Sequence, residues 1–158
     1  MKHAVWKLSM GPHAGGGEFN TLSKVKKCLR KKERVVVWQP TGRKGVSRLT
    51  QGEWFVEEAK DDAYFYLCHG NEEPGIMLLG QFTGPAEPVS SPEWRNDWVG
   101  RPYRTVKEAI ITKKFDGENK WWTPIHNSTF VKVPEHDLEK FEAVILRPYF
   151  NLTLADLG

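Results

Sequence analysis

The side chains best equipped for chemistry in this chain are indoles, and indoles recognise rather than react. Seven tryptophans occur among 158 residues of otherwise polar, mildly basic composition. Several fall in stretches with the character of loops. Trp94 and Trp98 flank Arg95, Asn96 and Asp97; Trp121 and Trp122 follow a charged turn; Trp38 closes a β-branched run ahead of Gln39 and Pro40. An indole face stacks on a nucleobase or a cation. A domain that holds an extruded base needs flat walls above and below it, a polar group at its edge and cations for the flanking phosphates. Trp38 and Trp94 could form the walls, Ser9 at the end of a first strand the polar group, and the run from Lys24 to Arg34 the cations. The competing reading assigns about half of the indoles to ordinary core packing.

Catalytic patterns are weak by comparison. The glycines at 11 and 15–17 form neither GxxxxGK[ST] nor a GxGxxG between strand and helix, and Gly42-Arg43-Lys44-Gly45 does no better. No two of His3, His13, His69, His126 and His136 share HxxxH spacing, and neither Cys28 nor Cys68 belongs to a CxxC pair. Cys68 and His69 are neighbours on a strand, so their side chains leave opposite faces. There is no GxSxG elbow. Asp61-Asp62 and Glu57-Glu58 read as solvated turn carboxylates. The chain is expected to have no catalytic residues, no metal and no cofactor. A small nucleotide enzyme would have to use His69 or Glu53 as its acid or base.

The charge is +3 overall, but it is unevenly spread. KVKKCLRKKER, residues 24–34, holds seven Lys/Arg against the single Glu33. A local positive face on a near-neutral body suits a phosphate-binding surface, although a solvated helix face would look the same. Two lone cysteines suit a reducing compartment. The start MKHAVWKLSM lacks an apolar run of signal-peptide length, and no run approaches a membrane span. The expectation is a soluble, cytoplasmic protein of one domain over 1–158.

The elements that must position these residues follow from periodicity. AVWKLS (4–9) reads as a first strand, with Val5 and Lys7 on one face and Trp6 and Leu8 on the other. Leu22, Val25 and Leu29 predict a short amphipathic helix over about 22–32 with a basic outer face. RVVVWQ (34–39), AYFYLCHG (63–70) and GIMLLGQFTGP (75–85) read as strands, the last two joined by a hairpin turn through Asn71, Pro74 and Gly75. Residues 47–60 fit either a strand or a short helix. The stretch 84–102, with four prolines, reads as one long loop of the kind that carries function. Residues 103–110 fit a strand or a short helix. A helix is predicted over about 135–146, with acidic residues in its first turn. RPYFNLTLADLG reads as a terminal strand or tail. The sum is an α+β fold with a mainly antiparallel curled sheet or small barrel.

AVWKLS, RVVVWQ and above all AYFYLCHGNEEPGIMLLGQFTGP resemble the PUA-like superfamily, specifically EVE-type and YTH-like domains. The similarity is strongest to the EVE-like domains at the N-termini of McrB-type modification-dependent restriction proteins. WTPIHNSTFVKVPEHDLEKF resembles the late strand, turn and helix of the same folds. The resemblance implies a PUA-like curled, mainly antiparallel sheet or small barrel flanked by short helices. It implies a module that reads a modified base, methylated adenine or modified cytosine, in DNA by flipping it into an aromatic cage. The alternative is a YTH-like reader of methylated RNA. By position, Trp38 and Trp94 match the cage tryptophans, with Trp98 or Trp54 as other candidates for the second wall. Lys7 and Ser9 stand where the family places base-edge contacts, and His69 and Asn71 lie in the His/Asn-rich turn. The family's polar pair after the first strand is here Ser9-Met10. Phosphate contacts fall to Lys24, Lys26, Lys27, Arg30, Lys31, Arg43, Lys44 and Arg95. A nuclease or NTPase would lie on a C-terminal segment or a separate subunit.

Overall fold

The computed structural model describes residues 4–10, 34–38, 59–69, 75–88, 98–111, 113–126 and 130–158, with backbone alone for 10, 34–38, 69, 88, 98 and 99. The predicted basic helix over 22–32, and most of the ambiguous stretch 47–60, lie outside these residues.

The β-branched and aromatic runs form strands, as their period-2 pattern requires. They are β1 (Val5–Met10), β2 (Arg34–Trp38), β3 (Tyr64–His69), β4 (Ile76–Phe82), β5 (Glu87–Pro88), β6 (Trp98–Glu108) and β7 (Phe130–Lys132). The strand order is β2-β6-β4-β3-β1-β7, with β5 also paired to β6. Among the described residues every pairing is antiparallel except β1 with β3, which run parallel. The architecture is α+β, a mainly antiparallel sheet flanked by short helices, and among the described residues the sheet is open rather than closed into a small barrel.

Two expectations are corrected. Residues 84–102 are not one loop: β5 interrupts the stretch and β6 already begins at Trp98. Gly100 and Pro102 read as breakers, yet Pro102 sits where β6 hands over from β2 to β4. Arg34 pairs with Pro102, and the next residue, Tyr103, pairs with Phe82. A missing N–H is tolerated at such a junction, and the Pro102 carbonyl still accepts from the Thr83 amide at 3.0 Å.

The terminal residues form no strand either. Helical backbone continues from a 3-10 turn (Glu135–Asp137) through α1 (Leu138–Phe141), a π turn (Glu142–Leu146) and α2 (Arg147–Phe150). The π turn admits Pro148, whose ring would otherwise meet the preceding turn. Asn151 at φ 54° ends the helix in the left-handed conformation. A further 3-10 turn (Leu154–Leu157) begins at a Thr153–Asp156 capping box.

Both faces of the sheet are covered. On one, Val5, Tyr64, Tyr66, Cys68 and Val131 pack against Trp122 and against Phe141, Ile145, Tyr149 and Phe150 of the helix. On the other, aromatic rings pack on one another: Trp6 on Phe130 at 4.5 Å and Phe65 on Phe82 at 4.7 Å. Gly80 makes room for that second layer, because a Cβ there would stand 2.5 Å from the Phe65 ring. No helix among the described residues is long and apolar enough to cross a membrane.

Candidate nucleic-acid interface

The parallel pairing of β1 and β3 brings two strand ends to the same place. Ser9 is registered with Cys68 and Met10 with His69. The connections that follow, 11–33 and 70–74, therefore depart from one end of the sheet. The carboxyl ends of neighbouring parallel strands are where α/β sheets commonly seat ligands. All of the basic run but Arg34, which opens β2, belongs to the first of these connections.

Lys7 lies two residues before Ser9 on the same face and is fully buried. Its Nζ donates to the His126 carbonyl at 2.7 Å. Burial pushes the ammonium pKa down to about 8, partly opposed by the nearby Cys68. Burial pushes the Cys68 thiol up, against the pull of Lys7 and of a hydrogen bond with Ser9. Tyr66, level with Lys7 on β3, donates its hydroxyl to the Trp122 carbonyl. Burial raises that phenol well above its ordinary value. Together these bonds fasten the turn 121–126 across β1 and β3. Thr123 closes the turn by donating to the Lys120 carbonyl at 2.7 Å, and Trp122 donates Nε1 to Asp137 Oδ2 at 2.9 Å. Trp121, Ile125 and His126 remain exposed on its outer side.

The second cluster lies at the far end of β6. Trp38 and Trp98 are directly opposite in the β2–β6 ladder. Three residues along, Arg101 is completely buried. Its Nε donates to the Gly84 carbonyl at 3.1 Å, Nη1 to the Ala59 carbonyl at 2.9 Å and Nη2 to Asp61 Oδ1 at 2.8 Å. The guanidinium lies over the Phe82 ring at 4.6 Å. Burial lowers its pKa and Asp61 opposes that shift, but a guanidinium starts so high that it stays charged.

Of the residues singled out in the sequence, the structure pairs Trp38 with Trp98 and sets Ser9 and His69 at adjacent strand ends. Among the described residues no strand pairing joins these two sets directly. The β4 pairing uses the opposite half of β6, where Glu108 faces Leu78. Trp54, Trp94, Asn71, Lys24, Lys26, Lys27, Arg30, Lys31, Arg43, Lys44 and Arg95 lie outside the described residues. Sequence reasoning missed Arg101, which sat between Gly100 and Pro102 in a presumed loop. It also missed Trp121 and His126 as exposed members of a fastened turn. Strand alternation applied through residue 102 would have exposed the first; the second had no local signal.

No family model and no curated protein matches the chain. Solved structures do. A hypothetical protein from Leishmania major superposes with a TM-score of 0.53 at 15% identity, covering 92% of this chain and 94% of that one. The two share a fold. The human THYN1 protein, solved in complex with DNA containing 5-methylcytosine, gives a TM-score of 0.41 at 17% identity over 89% of this chain and 75% of that one.

Proposed function

We propose that this chain is a nucleic-acid-binding module that recognises a modified base in DNA, flipping it into an aromatic cage as the specificity domain of a restriction system. The observation that carries this reading is the backbone pairing of Trp38 with Trp98. Two large aromatics at one strand end are what a base-stacking site needs. The basic run leads directly into the same element, since Arg34 is both its last residue and the first of β2. Stacking and phosphate-binding groups are thus a few residues apart along the chain. Ser9, half-buried at the end of β1, supplies a hydroxyl for a base edge. Flipping costs a few kcal/mol, which stacking between two walls offsets.

The test is a titration of the full chain against matched oligonucleotides at fixed salt. The panel holds unmodified DNA, N6-methyladenine, 5-methylcytosine (the base in the THYN1 complex) and 5-hydroxymethylcytosine, each single- and double-stranded, with RNA equivalents. We expect preference for one modified DNA. Trp38→Ala and Trp94→Ala should each reduce that preference about 10- to 100-fold, the worth of one stacked base, without unfolding the domain. Equal binding to every member would reject the reading, and preference for RNA would replace DNA as the partner.

A further inference from the structure

We propose that the turn 121–126 is a second nucleic-acid contact, in which the exposed indole of Trp121 stacks on a base beside the recognised one. The proposal rests on the nucleic-acid part of the reading above and not on any base being modified.

Trp121 is 56% exposed and Ile125 49%, two of the four large apolar side chains that stand out to solvent among the described residues. Single exposed isoleucines are ordinary. The two adjacent indoles are more telling, because they take opposite roles. Trp122 is wholly buried and anchors the turn in the core, while Trp121 is turned outward.

Bonds from three other elements hold the turn. Lys7 Nζ donates to the His126 carbonyl at 2.7 Å, the Tyr66 hydroxyl donates to the Trp122 carbonyl, and Trp122 Nε1 donates to Asp137 Oδ2 at 2.9 Å. Within the turn the Thr123 amide donates to the Lys120 carbonyl at 2.8 Å and the His126 amide to the Thr123 carbonyl at 3.2 Å. A surface connection has no need of a buried ammonium, whose removal from water is costly. What the fastening yields is a fixed outer surface that binds without first having to be ordered.

The place of that surface follows from the strands. Lys7 precedes Ser9 by two residues on one face of β1, and β7 meets β1 at Leu8, where Phe130 comes only four residues after His126. The turn therefore borders the carboxyl end of β1, where Ser9 is offered to a base edge. A base drawn out of a stack leaves its neighbour short of one stacking partner, and an indole exposed on one side replaces that partner. The charges beside the turn cancel. Lys120 and Lys140 meet Glu118 at 3.9 and 2.7 Å, and Asp137 adds a second carboxylate. Stacking rather than phosphate attraction is thus what the turn offers, and its share of the affinity is insensitive to salt.

The experiment titrates the full chain and its variants with single-stranded oligonucleotides, modified and unmodified, at about 50 and about 200 mM salt. The variants are Trp121→Ala, Trp121→Phe and, as a control, Ile110→Ala, which alters a side chain 53% exposed elsewhere on the molecule. Trp121→Ala should weaken binding to every strand about tenfold, the worth of stacking one base. The factor should be the same at both salt concentrations, with the modified-to-unmodified ratio unchanged. Trp121→Phe, which keeps an aromatic face, should stay within about threefold of the parent, and Ile110→Ala should match it. Unchanged affinity in Trp121→Ala overturns the proposal. So does a loss confined to the modified strand, which would make Trp121 a wall of the cage, and so does a loss that disappears at the higher salt. If the parent prefers no modified base, the modified-base reading fails, while an equal loss on every strand still supports the turn. A parent that binds no oligonucleotide overturns both.

Discussion

Among the described residues each face of the sheet buries one cation, and the two are held in different ways. Lys7 sits on the helix-covered face, where its ammonium reaches the His126 carbonyl and burial brings its pKa down to about 8. Arg101 sits on the aromatic face with three acceptors, one of them a carboxylate, and a ring beneath. An ammonium is a point charge that can give up its proton in a dry site, whereas a guanidinium keeps its charge and its geometry. The lasting clamp is thus on the strand of the candidate cage, and the titratable contact fastens a turn on the other side.

The comparison can be broken most severely from the helix-covered face. Trp122→Ala removes a fully buried indole, its bond to Asp137 and its edge contact with Phe141. We expect a loss of about 3–5 kcal/mol, read as a lower denaturant midpoint at constant m. A loss below about 1 kcal/mol would mean that the turn 121–126 is not integral to that core.

On the opposite face, Gly80→Ala drives a methyl into the Phe65 ring, which stacks on the Phe82 that seats Arg101. Overpacking of this kind costs about 1–3 kcal/mol. Calorimetry that finds Gly80→Ala as stable as the parent would show that the aromatic layer yields freely and cannot hold Arg101 in place.

Lys7→Met should have the smallest effect at pH 7, within about 1 kcal/mol, because removing a buried charge offsets leaving the His126 carbonyl without this donor. Its signature is the pH profile. With the folded pKa near 8 and the ordinary value 10.5, the unfolded chain binds more protons across that interval. Stability attributable to Lys7 therefore climbs with pH between those values, by up to about 3 kcal/mol, and is lost as pH falls through about 8. Cys68 and Tyr66, both raised by burial, act with the opposite sign, so the difference between parent and variant is the informative curve. A flat difference from pH 7.5 to 10.5 would show that the ammonium is solvated.

Much of the sheet was legible because strands announce themselves locally. The runs 34–38, 64–69 and 76–82 alternate or cluster β-branched and aromatic residues, and that pattern depends only on neighbours along the chain. The errors at 84–102 and at the terminus share one cause. Gly100, Pro102 and Pro148 break regular structure in isolation, but a strand junction absorbs Pro102 and a π turn absorbs Pro148.

By itself the sequence determined the strand-forming runs, the wealth of indoles and the basic run that enters β2, all of them properties of composition and short spacing. Only the tertiary structure decided that Lys7 and Arg101 are buried, that the backbone registers Trp38 opposite Trp98, and that a turn near residue 126 lies across the first strand. Arg101 finds its acceptors 17, 40 and 42 residues away, and Lys7 finds its own 119 away. Separations of that size leave no trace in local periodicity. They arise when the sheet curls and the burial of apolar surface carries a cation inside, where it must be met by whichever carbonyls and carboxylates the fold has brought within reach.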